Sequence, residues 1–274
     1  MNEPIISFDC VSKTYPMYRQ GRGIKNILFS RGASLATVDR YEALKDISFD
    51  IYKGESFGII GRNGAGKSTT LGLIAGVLQP TAGRIVVRGR ISPLLALGAG
   101  FNAELSGREN IFLNGILMGL TRREIKEKID EIIEFTELGD FIERPIRVYS
   151  SGMTARLGFA VVAHLDPEIL LIDEVLGVGD MKFQRKCADK MREFRESGVT
   201  MVLVTHSVPN IIKICDRAMW IDNHVVRMIG STTEIAELYC HEAGVKLNAN
   251  EPRPDETVPE TMPNDALDAG VAIF

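Results

Sequence analysis

The sequence predicts an α/β fold in which a parallel sheet is covered on both faces and a helical block interrupts the chain. Three observations point there. The runs Ile169-Leu170-Leu171-Ile172 and Met201-Val202-Leu203-Val204 are apolar throughout, as strands buried on both faces are. From Ser56 to Leu78 a strand pattern, a glycine-rich loop and a helix pattern follow one another. Between these regions, Arg108 to Leu165 reads as largely helical.

Taken in order, Ile5 to Val11 reads as a first strand, and Leu44 to Ile51 alternates apolar and polar residues as a half-buried strand does. Pro16 to Ala43 lies between them, with five bases (Arg19, Arg22, Lys25, Arg31, Arg40), two acids and a short apolar knot at Ile27-Leu28-Phe29. This is too long for an ordinary strand connection, and two readings stand: a solvated insertion, or a basic platform for a membrane surface or a partner. Strand Ser56 to Ile60, helix Thr69 to Leu78, a polar turn at Gln79 to Gly83 and strand Arg84 to Arg88 follow. Helical segments are expected to start at Gly107, Thr121 and Ser150, and Thr121 with Glu124 forms a capping box. Next come strand Glu168 to Asp173, a helix near Phe183 to Ser197, strand Val199 to His206, a helix near Val208 to Cys215, and two short strands through Ile221 and Val226. After Gly244 the composition changes. Four prolines between Pro252 and Pro263, mixed with acids, predict a flexible acidic tail over 245–274 beyond a domain at 4–244.

The chain has 274 residues and a formal net charge of −4, which argues against a general nucleic-acid binder. The excess is local, because the tail from Val245 holds six acids and two bases. Four dispersed cysteines without CxxC spacing suggest a reduced, cytoplasmic setting. No run approaches the roughly 20 apolar residues of a membrane span, and the opening MNEPIISFD does not resemble a signal peptide. Work at a membrane is therefore expected from its surface or through a partner.

The chemistry is concentrated in four places. Gly61-Arg62-Asn63-Gly64-Ala65-Gly66-Lys67-Ser68 fits G-x-x-x-x-G-K-[ST] between a predicted strand and helix. Its glycines admit phosphate oxygens to backbone N–H groups, Lys67 reaches the β/γ-phosphates and Ser68 is placed to ligate Mg²⁺. Gly61, Asn63, Gly64, Gly66, Lys67, Ser68 and Thr69 are the candidate phosphate-binding positions. Asp173, ending an apolar strand, is placed to bind Mg²⁺ directly or through water, and Glu174 to polarise a water toward the γ-phosphate. Ser150, Ser151 and Gly152 open a predicted helix, a second anion site suggesting that two chains complete each other across a two-fold axis. His206 follows a strand at the sheet edge where open α/β folds bind ligands, which favours contact with the γ-phosphate and Glu174. His164, His224 and His241 read as structural.

This order of motifs resembles the ATP-binding cassette (ABC) family from about Pro4 to Glu242. Gly61 to Ser68 is similar to its Walker A, Tyr149 to Met153 to its signature, Ile169 to Glu174 to its Walker B, Val178 to Asp180 to its D-loop and His206 to its switch histidine. Tyr15 resembles the aromatic residue that stacks on adenine, with Tyr41 as a competitor. The resemblance implies a P-loop NTPase (RecA-like) core with an antiparallel β subdomain, and a Q-loop region and helical subdomain inserted at about 95–165. It also implies an ATPase using ATP and Mg²⁺, with Asp180 among the ATP-binding residues.

Departures from the family pattern narrow the resemblance. The signature reads YSSGM, and the loop Leu94 to Asn110 lacks the usual glutamine, leaving Asn102 or Glu104 as substitutes. With LGAGF and the insert before Ala43, these features resemble the ATPase subunits of polysaccharide exporters for O-antigen, capsule and teichoic acid. Such a subunit implies a homodimer docked beneath two copies of a membrane permease, on the cytoplasmic face of the bacterial inner membrane, moving a lipid-linked glycan. The thirty residues after Gly244 leave no room for the C-terminal β-sandwich of some O-antigen members, so polymer recognition is expected in the permease, the N-terminal insert or another protein. The alternatives are an ABC ATPase for a small solute, against which the missing glutamine and the YSSGM signature weigh, or a soluble one acting on DNA or ribosomes. Against the latter stand the single P-loop and the 83 positions from Lys67 to Ser150, too few for a long coiled coil.

Overall fold

The computed structural model describes residues 3–17, 39–94, 98, 100–173 and 179–243. Most of the basic segment, part of the loop after Leu94, Glu174 to Val178 and the acidic tail lie outside the described residues.

The first strand, β1 (Ile6–Met17), pairs antiparallel with β2 (Asp39–Ile51) on one side and β4 (Ala82–Val87) on the other. Both β1 and β2 run into the segment read from sequence as an insert. Pro16 and Met17 pair with Arg40 and Asp39, so only 18–38 remain between paired strands. The pairing sets Tyr15 directly opposite Tyr41. Cross-strand neighbours share a sheet face, so the two tyrosines do too.

The second sheet has the order β5-β6-β7-β3-β8-β9, with β5 (Ile91–Leu94), β6 (Ile169–Asp173), β7 (Thr200–Thr205), β3 (Ser56–Ile60) and β8 (Arg217–Asp222) parallel and β9 (Val225–Ser231) antiparallel. Its strands are apolar on both sides because both faces are covered. Ile169, Leu171, Val202 and Val204 join Phe57, Ile59, Leu71 and Ile74 beneath the three-stranded sheet. Leu170, Ile172, Met201 and Leu203 face the opposite way, against Phe159, Phe183, Ile211 and Ile235. The period-2 alternation of side chains thus divides each run between two cores.

The covering helices are α1 (Lys67–Ile74) on one side, and α4 (Ser151–Ala163), α5 (Met181–Glu196), α6 (Val208–Ile214) and α7 (Thr232–Ala243) on the other. In the insert, α2 (Gly107–Leu117) and α3 (Arg122–Thr136) pack on α4. Both helices open on capping boxes, Ser106 with Glu109 and Thr121 with Glu124. Glu109 and Glu124 accept the cap residues' N–H and O–H groups, which hold both carboxyls below the ordinary range. α3 buries Ile125, Ile129 and Ile132, a 3–4 residue spacing that forms one stripe, and ends at Glu137 in a left-handed cap. α4 connects the two bodies: Leu157, Ala160 and Val161 face α2 and α3, whereas Phe159, Val162 and Ala163 face the sheet.

Two elements are absent from the sequence reading. β5 is four residues long and contains Pro93, which a sheet tolerates at an edge, and β5 pairs with β6 alone. α7 carries its own start signal, Ser231 followed three residues later by Glu234. The Ser231 N–H donates to the Glu234 carboxylate, and the Glu234 N–H to the Ser231 hydroxyl.

Candidate nucleotide site

Strands β6, β7 and β3 are adjacent and parallel, and their registers place Asp173 beside Val204 and Ile60 beside Thr205. Three carboxyl ends are therefore level, so Asp173, His206 and the loop starting at Gly61 meet at one sheet edge. This is the edge at which open α/β sheets bind ligands.

The loop folds as a cradle. Lys67 is almost wholly buried and its Nζ donates back to the carbonyl oxygens of Gly61 at 2.8 Å and Arg62 at 3.1 Å, drawing the loop around the ammonium. The N-cap of α1 is Gly66, which has φ 113° and offers no side-chain cap. The first N–H groups of a helix have no intrahelical partner, so an uncapped start here presents them to an anion. A side chain at Gly66 is excluded, because a Cβ there would lie 2.5 Å from Leu44 Cδ2 and 2.7 Å from the Ala43 oxygen. A Cβ at Gly64, by contrast, would meet no atom within 4 Å.

Asn63, Gly64, Gly66, Lys67, Ser68 and Thr69 line a cavity of about 350 Å³ together with Tyr41, Ala43 and Asp173. Ser68 and Asp173, a hydroxyl and a carboxylate side chain, both line this cavity. These hard oxygen donors fit Mg²⁺ held by one or two protein ligands with phosphate and water completing the shell. Among the described residues no group of three or more His, Cys, Asp or Glu side chains could hold a metal ion. Of the two tyrosines considered for the base, the structure brings Tyr41 into this cavity. Tyr15 does not line it; the Lys13 ammonium lies 5.0 Å from its ring centroid. His206 is exposed just beyond β7. Glu174 lies outside the described residues.

A second cavity, of about 490 Å³, is lined by Ser150, Gly152, Met153, Arg156, Gly179 and Asp180, with Glu137, Leu138 and Phe141, and shares no described residue with the first. Ser150 caps α4 through its Oγ, which accepts the Met153 N–H at 3.2 Å, while Ser151 is exposed in the first turn. Asp180 caps α5 by accepting the Phe183 N–H at 2.9 Å and pairs with Arg156 at 2.8 Å. The Phe183 N–H first and the Arg156 guanidinium second hold the Asp180 carboxyl below its ordinary range. Ser150, in the element read as signature, and Asp180, in that read as D-loop, thus line one cavity although 30 positions separate them.

Asn102 and Glu104 do not line the first cavity. The Asn102 Oδ1 accepts the Glu104 N–H at 3.0 Å, and the Glu104 carboxylate lies 3.8 Å from Arg147. The residue that organises this loop is Asn110. Fully buried on α2, it donates to the carbonyls of Asn102, Leu105 and Ser106 and accepts the Asn102 N–H at 2.7 Å. Its one sequence signal is a polar side chain on the buried face of a helix.

Fold and cavity together define a P-loop nucleotide-binding protein with an inserted helical subdomain. Comparison with known proteins carries this further. The family model described as ABC transporter matches residues 44–177. An O-antigen export system ATP-binding protein RfbB from Klebsiella pneumoniae is 53% identical over 240 residues, 86% of this chain and 98% of that protein. A teichoic acids export ATP-binding protein TagH from Listeria monocytogenes serotype 4b is 42% identical over 85% of this chain and 69% of that protein. Among solved structures, a dimeric post-hydrolysis ATP-binding cassette, MJ0796 bound to ADP and Pi, superposes with a TM-score of 0.65 at 22% identity, covering 83% of this chain and 98% of that one, which establishes the fold. The chain belongs to the ABC transporter family as an ATP-binding subunit, and its activity is that of a transport ATPase. Among the described residues no helix is long and apolar enough to cross a membrane.

Proposed function

We propose that this chain is the ATPase subunit of an exporter that moves a lipid-linked polysaccharide, of the O-antigen type, across the bacterial inner membrane. The observation that carries this reading is the identity of 53% maintained over nearly the whole length of an O-antigen export ATP-binding protein. Teichoic acid export relatives at 42% support the broader class, a glycan polymer rather than a small solute or nucleic acid.

At the site, Asn63, Gly64, Gly66, Lys67 and Thr69 hold the phosphates of ATP, Gly61 anchors Lys67 through its carbonyl, and Tyr41 rather than Tyr15 stacks on the base because it lines the same cavity. Mg²⁺ held by Ser68 and Asp173 would neutralise charge developing on the phosphates. Glu174 orients and accepts a proton from the attacking water, and His206 contacts the γ-phosphate. Ser150, Ser151 and Gly152 serve the nucleotide of a second copy, a reading supported by Ser150 and Gly152 lining a cavity with which the first shares no described residue. The working unit is then two copies of this chain with two copies of a membrane permease, at the cytoplasmic face of the membrane.

The test is genetic and biochemical. Cells lacking this chain should retain polymer inside, and wild-type chain should restore it to the surface where Lys67→Ala does not. Normal surface polysaccharide without the chain would overturn the assignment.

A further inference from the structure

The turn joining β8 to β9 is built on two residues in the left-handed region, Asn223 at φ 48° and His224 at φ 69°. Two-residue hairpin turns with positive φ match the twist of the strands, and glycine or asparagine usually fills them. A histidine here is costlier than glycine, so the contacts of its ring are informative. His224 Nδ1 lies 3.2 Å from the Ala43 carbonyl oxygen, and the His224 carbonyl accepts the Lys45 N–H at 2.9 Å. Its ring meets Tyr41 edge to face, with centroids 5.4 Å apart and planes at 83°. One turn therefore grips β2 at three alternate residues, 41, 43 and 45. The middle one, Ala43, is also the residue whose carbonyl abuts Gly66 at the start of α1.

Tyr41 is 41% exposed and lines the phosphate cavity, and the ring of His224 packs against it. We propose that His224 is a positioning residue for the nucleobase: its ring fixes the plane of Tyr41, so it governs affinity for the base and not for the phosphates. This rests on the reading that Tyr41 stacks on adenine, and the experiment separates the two. Sequence alone assigns His224 a structural role because nothing near it in the chain points to Tyr41. It lies 183 positions from Tyr41, and the packing of the β8–β9 turn on β2 brings them together.

The test measures dissociation constants of the full chain for ATP and for inorganic tripolyphosphate, which has the phosphates but no base, both with Mg²⁺. Wild type, His224→Asn, Tyr41→Ala and the double variant are compared. Asparagine tolerates the left-handed turn, so His224→Asn removes the ring and keeps the backbone. An edge-to-face contact of this kind corresponds to about a threefold to tenfold loss in ATP affinity, with tripolyphosphate affinity unchanged. In the double variant the loss should equal that of Tyr41→Ala alone, since His224 acts through Tyr41. The proposal is overturned if His224→Asn binds ATP as wild type does while Tyr41→Ala does not, if both ligands weaken alike, or if the two losses add. If Tyr41→Ala itself leaves ATP affinity unchanged, the base-stacking reading falls, and the role of His224 with it.

Discussion

Substituting alanine at two glycines of one loop should separate stability from ligand access. At Gly66 the backbone holds φ 113° and a Cβ would lie 2.5 Å from Leu44 Cδ2 and 2.7 Å from the Ala43 oxygen. The left-handed backbone costs an alanine roughly 1–2 kcal/mol. Forcing a methyl into packed atoms adds about 1–3 kcal/mol, part of it against a backbone oxygen that cannot rotate away. A total of about 3 kcal/mol lowers Tm by roughly 6–12 °C in a domain of this size. At Gly64 φ is 81° but no atom lies within 4 Å of the added methyl. Gly64→Ala should therefore cost only the backbone penalty, about 1 kcal/mol or roughly 2–4 °C. Its methyl occupies the cavity that Gly64 lines, so ATP affinity should fall more than stability does. Thermal unfolding of the full chain without nucleotide reads the first effect, and calorimetric titration with ATP the second. Equal destabilisation by the two substitutions would refute the reasoning, since it would mean that β2 does not abut the start of α1.

Two further outcomes follow from the insert. Ser150→Ala removes the α4 cap, a loss of about 1 kcal/mol, and should reduce ATPase activity at least about tenfold while the chain still binds ATP in its own cavity; parallel loss of ATP affinity in a dilute, monomeric sample would place Ser150 in the wrong cavity. Glu109 and Glu124 have folded pKa values below the ordinary carboxylate value of about 4.3, so their contribution to stability is present above that pH and is lost as pH falls through the lower folded value. The gap in urea midpoint between wild type and the Glu109→Gln, Glu124→Gln double variant should accordingly be wider at pH 7 than at pH 3.5. A constant gap would show that these carboxylates do not carry the caps.

Much of the architecture was legible because it rests on local rules. The glycine loop, the Thr121 and Glu124 capping box and the doubly apolar strands each announce themselves within a few residues. β5 was not legible, being four residues long with a proline. α7 was legible only through Ser231 and Glu234, a box that is easily taken for a turn. The ends of β1 and β2 were hidden because pairing partners 26 positions apart, Tyr15 and Tyr41, define them.

The candidate site divides along the same line. By itself the sequence determined the glycine loop, since glycines at those spacings free backbone N–H groups to close on an anion and set a lysine beside them. It equally determined the caps, which need a hydroxyl and a carboxylate three residues apart. Which tyrosine lines the cavity of the glycine loop, that the ring of His224 meets it, and that Asp180 lies against the helix opened by Ser150 were decided by the tertiary structure alone. Those contacts depend on strand register and on which helix packs over which strand. Such choices are made by burying apolar surface across the whole domain, and no window of neighbouring residues contains that information.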